Sequence, residues 1–109
     1  MPASDVQEDY FRPPQNLTVR TIATVQREML QFLDKTASAT IELDDDCQVD
    51  ISFIQLMEAA RIYAGAAGKQ IALARPASGP TLDVLKRSGF LDGMSAEDLK
   101  FWLHQGGIQ

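Results

Sequence analysis

Cysteine and histidine each occur only once in this chain of 109 residues, as Cys47 and His104. A lone cysteine cannot form a disulfide within the chain, which suits a reducing compartment. Zinc sites and nucleophile–base pairs usually draw on several cysteine or histidine side chains, and this sequence does not offer them. We therefore expect a binding or switching protein rather than an enzyme, and we expect no metal or other cofactor.

An excess of basic residues and a long hydrophobic run are also missing. Ten Lys and Arg residues against fifteen Asp and Glu residues give a net charge of −5, so nucleic-acid binding is not expected. No apolar run approaches the roughly 20 residues that cross a bilayer, and the first residues lack the basic and apolar regions of a secretory signal. We therefore expect a soluble, cytoplasmic protein without direct membrane insertion.

The sequence that is present predicts alternating helices and strands. Hydrophobic residues make up 45% of the chain, and the length suits one domain. Apolar spacing predicts four helices: from Thr21 to about Lys35, from about Ser52 to Gly68, from Pro80 to Gly89, and from Ser95 toward the end of the chain. In the second helix, the predicted apolar stripe consists of Leu56, Ala60, Tyr63 and Ala67. At the start of the fourth helix, Ser95 and Asp98 are expected to form a capping box. The predicted strands are Ala39–Leu43 and Ile71–Ala74, with Tyr10–Phe11 and Asn16–Val19 as weaker additions. This order predicts an α/β fold in which crossover helices join parallel strands.

The most informative segment joins a strand, an acidic turn and the start of the second helix. Ser52 lies where the exposed N–H groups and the dipole of a helix start favour a phosphate on a side chain. Phosphorylation would add about −1.5 to −2 charges beside Asp50, which would change the affinity for a charged partner. The alternative is that Asp50 or Ser52 is only the N-cap of the helix.

Other residues with chemical potential each have a structural alternative. Asp44–Asp46 together with Asp50 suggest a divalent cation, but their spacing lacks the frame of a calcium loop and favours a solvated turn. The carboxylates disfavour the thiolate of Cys47, which makes it a poor nucleophile. His104 is expected to be an exposed helix residue. The aromatic stripe at Phe101–Leu103 either binds a partner or docks the last helix on its own domain.

Four stretches of the chain share an order of elements with a known family. They are Thr40-Ile-Glu-Leu43, Val49-Asp50-Ile51-Ser52-Phe53-Ile54, Gly68-Lys-Gln-Ile-Ala-Leu-Ala-Arg-Pro76 and Leu82-Asp-Val-Leu-Lys-Arg-Ser-Gly-Phe90. In this order they resemble STAS domains, the class of anti-sigma-factor antagonists and their relatives, over roughly residues 16 to 92. The resemblance implies a small mixed sheet of about four strands with helices on one side. We expect disorder over 1–9, the STAS-like domain over 10–92 and a helical extension over 93–109.

The resemblance also implies a function and a site. In STAS domains a serine or threonine of the turn before the helix is phosphorylated by a partner kinase, and this state decides which protein is bound. Carried over by position, Ser52 is the phosphoacceptor candidate, and the expected partner-binding residues are Asp50, Ser52, Phe53 and Gln55. The expected partner is a serine kinase, an anti-sigma factor or another signalling regulator. Two departures matter: Ile51 replaces a hydroxyl residue, and Phe53 replaces a glycine and adds bulk where a kinase would approach.

Two other functions fit the same resemblance. Some STAS-like proteins are structural subunits of ABC-type lipid transport complexes, where they bind the transporter ATPase and need no phosphorylation, which suits the altered turn. Related domains are also proposed to bind nucleotides or metabolites. Co-purification with an ATPase and a permease would identify the first, and a thermal shift with a nucleotide panel would identify the second.

Overall fold

The computed structural model describes residues 9–105, and over this range the chain is an α/β fold of five short strands and four helices. The strands are β1 (Asp9–Phe11), β2 (Asn16–Leu17), β3 (Ser38–Ile41), β4 (Gln48–Val49) and β5 (Gln70–Leu73). The helices are α1 (Ile22–Asp34), α2 (Ile51–Ala66), α3 (Gly79–Arg87) and α4 (Ala96–Leu103), with a 3-10 helix at Phe90–Gly93 before α4.

The strands form two small parallel sheets. The main sheet has the order β1-β3-β5, and Phe11, Ile41 and Leu73 lie in register across it. The second sheet joins β2 to β4. Because α1 connects the first strands to β3 and α2 connects β4 to β5, each parallel neighbour is reached through a helix. Since there are two sheets and both are parallel, the expectation of one mixed sheet of about four strands is wrong. The Asn16 stretch pairs with β4. Strand β4 has only two residues and is too short to show a hydrophobic period.

One face of the main sheet is buried. Ala39, Ile41 and Leu73 have almost no exposed surface, whereas Ala72 is exposed on the row that it shares with Tyr10 and Thr40. Side chains of a strand alternate between faces, so these two rows belong to opposite sides of the sheet. This buried side contributes Ala39, Ile41 and Leu73 to the hydrophobic core of the described residues.

The helices begin and end where the sequence predicts them within a few residues. The first predicted helix matches α1 closely, and Gly68 has a φ of 72° just after the C-cap of α2, a conformation that glycine adopts without strain. Ser95 and Asp98 form the predicted capping box at the start of α4. The predicted stripe on α2 is wrong in phase, because Tyr63 is partly exposed while the buried residues are Phe53, Ile54, Met57, Ala60 and Ala64.

The last helix is built into the core. Trp102 is completely buried, and its Nε1–H donates to Glu58 of α2 at 3.0 Å. Arg61 extends from α2 to Asp98 at 3.0 Å and lies over the ring of Phe101. The interpretation in which the aromatic stripe docks α4 on its own domain is therefore confirmed.

At the start of the described range, the structure differs from the sequence expectation. Asp9 lies in β1, contrary to the disorder expected there. The expectations for residues 1–8 and 106–109 lie outside the described residues. Among residues 9–105, no helix combines the length and the apolar character that crossing a bilayer requires.

Candidate partner-binding site at the start of helix α2

The second sheet brings the turn after β2 against the start of α2. Gln48 donates its N–H to the carbonyl of Gln15 at 2.7 Å, and Asp50 donates to the carbonyl of Leu17 at 3.3 Å. These bonds continue the pairing of β2 with β4 up to the first residues of the helix. As a result, the backbone N–H of Val19 donates to Oδ2 of Asp50 at 2.9 Å.

Asp50 is the N-cap of α2 and also binds the Ser52 side chain. Its Oδ1 accepts the backbone N–H of Ser52 at 2.9 Å and, in a short contact, the Ser52 hydroxyl. The Ser52 hydroxyl has the largest effect and lowers the pKa of Asp50. Burial is second and raises it, but the N–H groups of Val19 and Ser52 also lower it, so the pKa is lowered overall. The N-cap interpretation is thus confirmed for Asp50, which remains an anion at neutral pH.

Two residues next to this carboxylate have exposed apolar side chains: Ile51 follows Asp50 in the chain, and Val19 donates its backbone N–H to it. Ile51 is 43% exposed and Val19 is 71% exposed, while Gln55 is exposed one turn further along α2. We call these residues, with Asp50 and Ser52, the α2 surface. Large hydrophobic side chains exposed beside an anchored polar group are typical of protein contact sites. The sequence pattern did not identify Val19, since only the β2–β4 pairing brings it to the site.

A shallow cleft continues this surface toward α3. It has a volume of about 260 Å³, and Asp50 and Ile51 line one side while Val84, Arg87 and Ser88 line the other. Arg87 is largely exposed and forms an ion pair with Asp83 at 2.8 Å within α3. The site therefore has one anion at the helix start and one exposed cation across the cleft.

Phe53 does not belong to the α2 surface. Its side chain is completely buried in the core, where the third residue of α2 points toward the sheet. The expected contact between Phe53 and a partner is therefore not available in this conformation, and neither is the expected obstruction of a kinase. Helical backbone at this position needs no glycine, so an apolar residue replaces it and stabilises the core.

The acidic turn before β4 is held by hydrogen bonds within the chain. Asp44 accepts the Asp46 N–H and the Gln15 side-chain amide, each at 3.0 Å, and these two bonds lower its pKa. Asp45 pairs with Arg75 at 3.1 Å. Within residues 9–105, no three His, Cys, Asp or Glu side chains are grouped to hold a metal ion.

Cys47 and His104 lie away from the α2 surface. Cys47 is buried with its Sγ 3.8 Å from the hydroxyl of Thr81. Burial raises the pKa of this thiol most, and Asp44 raises it by a smaller amount. The neighbouring carboxylates, which the sequence suggested as the cause, therefore have the smaller effect. His104 is exposed as expected, but it is the C-cap of α4, and its Nε2 lies 3.1 Å from the carbonyl oxygen of Leu73.

Comparison of the chain with protein-family models, with curated proteins and with solved structures finds no match. In the described range, the α2 surface combines one hydroxyl, one structural carboxylate and exposed apolar side chains. This combination suits a protein contact that a charge on the hydroxyl would alter.

Proposed function

We propose that this chain is a non-enzymatic, STAS-like signalling module that binds a protein partner through the α2 surface. Phosphorylation of Ser52 by a partner kinase controls that binding. The observation that best supports this proposal is the continuous set of hydrogen bonds from the Ser52 hydroxyl to Asp50 and from the Val19 N–H to Asp50. A change at Ser52 is thereby transmitted to an exposed apolar residue on another segment of the chain.

The chemistry of the switch follows from what a phosphoryl group does to these bonds. Phosphorylation replaces the hydroxyl hydrogen of Ser52, so the side chain no longer donates to Asp50. It also adds about −1.5 to −2 charges next to a carboxylate, which repels Asp50 from the helix start. The N–H groups at the start of α2 then donate hydrogen bonds to the phosphate in place of the carboxylate. The Val19 N–H loses its acceptor, and the turn that contains Val19 changes its position.

The apolar side chains give this surface its affinity for a partner. The exposed parts of Ile51 and Val19 are removed from water only when another protein covers them, and such burial contributes about 25 cal/mol per Å² of apolar surface. Asp50 and Ser52 flank Ile51 in the chain, and Asp50 accepts the Val19 N–H, so a charge change at Ser52 alters the contact. A serine kinase, an anti-sigma factor or another signalling regulator is the expected partner.

The experiment that tests the location of the surface uses two isoleucines of the same helix. The tagged full-length protein is expressed in its native cells as wild type, Ile51→Asp and Ile62→Asp, and the captured proteins are identified by mass spectrometry. Both isoleucines are exposed on α2, and an aspartate at the first helical position is favourable for the fold. We expect Ile51→Asp to lose the main partner and Ile62→Asp to retain it. Equal recovery by all three proteins would refute the α2 surface as the binding site.

The same capture tests the modification. We expect a kinase or other signalling regulator among the partners and phosphate on a fraction of the peptide that contains Ser52. Signalling partners without phosphate would refute the switch but leave the binding surface. The phosphate is located by fragmentation of the peptide, with the Ser52→Ala protein as the control that cannot be modified at this position.

The second candidate function is that of a structural subunit that binds the ATPase of an ABC-type lipid transporter. The exposed Ile51 at the start of α2 favours it, because an apolar residue supports permanent contact where a hydroxyl would support modification. Recovery of an ATPase and a permease with unmodified Ser52 would select this function over the switch.

A further inference from the structure

Strand β5 forms one edge of the main sheet. In the order β1-β3-β5, the described residues place no strand on the outer side of β5. Gln70 donates its N–H to Ala37, and Ala74 donates to Ile41, each at 2.9 Å. Backbone groups alternate in direction along a strand. Since the N–H groups of Gln70 and Ala74 point toward β3, the N–H and C=O of Ile71 point away from it.

The His104 side chain confirms that alternate backbone groups of β5 point outward, and it binds one of them. The carbonyl oxygen of Leu73 points outward and lies 3.1 Å from Nε2 of His104. The N–H and C=O of Ile71 and the N–H of Leu73 then have no hydrogen-bond partner within residues 9–105. Unpaired groups at strand spacing are a template for another extended backbone.

The free groups lie in a groove between α2 and α4. Ile71 and Leu73 line it along β5, Arg61 lines it from α2, and Lys100 and Phe101 line it from α4, around a volume of about 500 Å³. A second cavity of about 340 Å³, which shares Arg61 and Ile71, continues the groove toward the start of β5. The edge is therefore flanked by side chains and is open to a narrow occupant from the start of β5 to Ile71, whereas His104 occupies its Leu73 end.

We propose that an extended peptide segment of a partner protein binds in this groove as an added strand next to β5. A residue of the peptide opposite Ile71 exchanges both backbone hydrogen bonds with it. Arg61 is already paired with Glu58 and Asp98, and Lys100 lines the groove together with Glu97. The peptide segment is therefore predominantly uncharged, since the groove does not provide an excess of either charge.

A second copy of this chain fits the groove less well than a peptide. His104 closes the Leu73 end of the edge, so only a short contact is available, whereas stable protein interfaces bury about 1,200–2,000 Å². Each copy also has a net charge of −5, which opposes self-association. This peptide site is separate from the α2 surface and does not depend on the proposed role of Ser52.

The test begins with selection of binders by the full-length wild-type protein from a phage library of random dodecapeptides. The dissociation constant of an enriched synthetic peptide is then measured for wild type, Ile71→Pro and Ile71→Val. Proline removes the outward N–H of Ile71 without removing a bond to β3, a position that edge strands tolerate. Valine keeps the N–H and is the matched control. We expect binding to weaken about tenfold or more for Ile71→Pro and to change less than about twofold for Ile71→Val.

A second measurement keeps the test decisive if Ile71→Pro does not fold. Amide hydrogen exchange of the wild-type protein is followed by NMR with and without the selected peptide. We expect the peptide to slow exchange at Ile71 and Leu73. The proposal is overturned if no peptide is enriched, if selected peptides protect other amides instead, or if the protein alone protects Ile71 by self-association that sedimentation detects.

Discussion

Val19 donates its backbone N–H to the carboxylate of Asp50 at 2.9 Å, across 31 positions of the sequence. Asp50 at the same time caps α2 through the N–H of Ser52 and accepts the Ser52 hydroxyl. One carboxylate thus connects the turn after β2, the start of α2 and the candidate phosphoacceptor. Each of these hydrogen bonds can be removed separately by substitution.

Removal of the Asp50 carboxylate should destabilise the fold. We expect Asp50→Ala to lower the free energy of unfolding by about 1 kcal/mol, because α2 loses its N-cap. Asp50→Asn should cost less, since its side-chain oxygen still accepts a backbone N–H. Urea unfolding followed by circular dichroism measures both. An Asn variant as unstable as the Ala variant would show that the charge, and not the cap, stabilises this position.

The stabilisation by Asp50 should depend on pH in one direction. Its pKa in the folded protein is lowered, first by the Ser52 hydroxyl, so the folded state favours the charged form more than the unfolded state does. The stabilisation is complete above the ordinary Asp pKa of about 3.9 and is lost as the pH falls through the folded pKa. We expect the difference in unfolding free energy between wild type and Asp50→Asn to shrink as the pH is lowered from about 6 to about 2. A difference that grows toward low pH would contradict the hydrogen bonds described at Asp50.

Truncation of Trp102 should show that α4 belongs to the core. We expect Trp102→Ala to cost about 3–5 kcal/mol, the range for large aromatic residues in protein cores. Trp102 is the only tryptophan, so its fluorescence reports on α4 while far-UV circular dichroism reports on the whole chain. The two signals of the wild-type protein should change together in urea. A fluorescence change that precedes the loss of secondary structure would mean that α4 unfolds on its own.

Cys47 should be unreactive in the native protein. It is buried, and burial raises its pKa, so both access and thiolate formation are disfavoured. With a chromogenic disulfide reagent, we expect slow labelling in buffer and release of one equivalent per chain in a denaturant. Cys47→Ser provides the blank. Rapid labelling of the folded protein would contradict the packing of Cys47 against Thr81.

The sequence predicted the long elements well because their patterns extend over several turns. The apolar spacing identified α1, and local capping chemistry identified the starts of α2 and α4. It did not give the buried side of α2, since apolar residues occur all around that helix and its period is weak. Phe53 was expected at the surface because the STAS resemblance carried the role of a turn residue over to its position. Strand β4 was missed because two residues cannot show an alternation.

At the candidate site, too, the sequence predicted the local contacts but not the long-range one. The contact between Asp50 and Ser52 is local, so the order of residues at a helix start was enough to suggest it. Val19 was missed because it reaches Asp50 only through the pairing of β2 with β4. Local chemistry could be predicted from the chain, whereas a contact that depends on the register of two short strands could not.

The most direct measurement of the central claim is the affinity of the captured partner for wild type, Ser52→Ala and Ser52→Asp. Ser95→Asp is the control, because it introduces the same side chain at the N-cap of α4, away from the α2 surface. We expect Ser52→Asp to change the affinity by about 1–3 kcal/mol, or about 5–150-fold, with Ser52→Ala and Ser95→Asp close to wild type. Equal affinities for all four proteins would contradict a switch at Ser52.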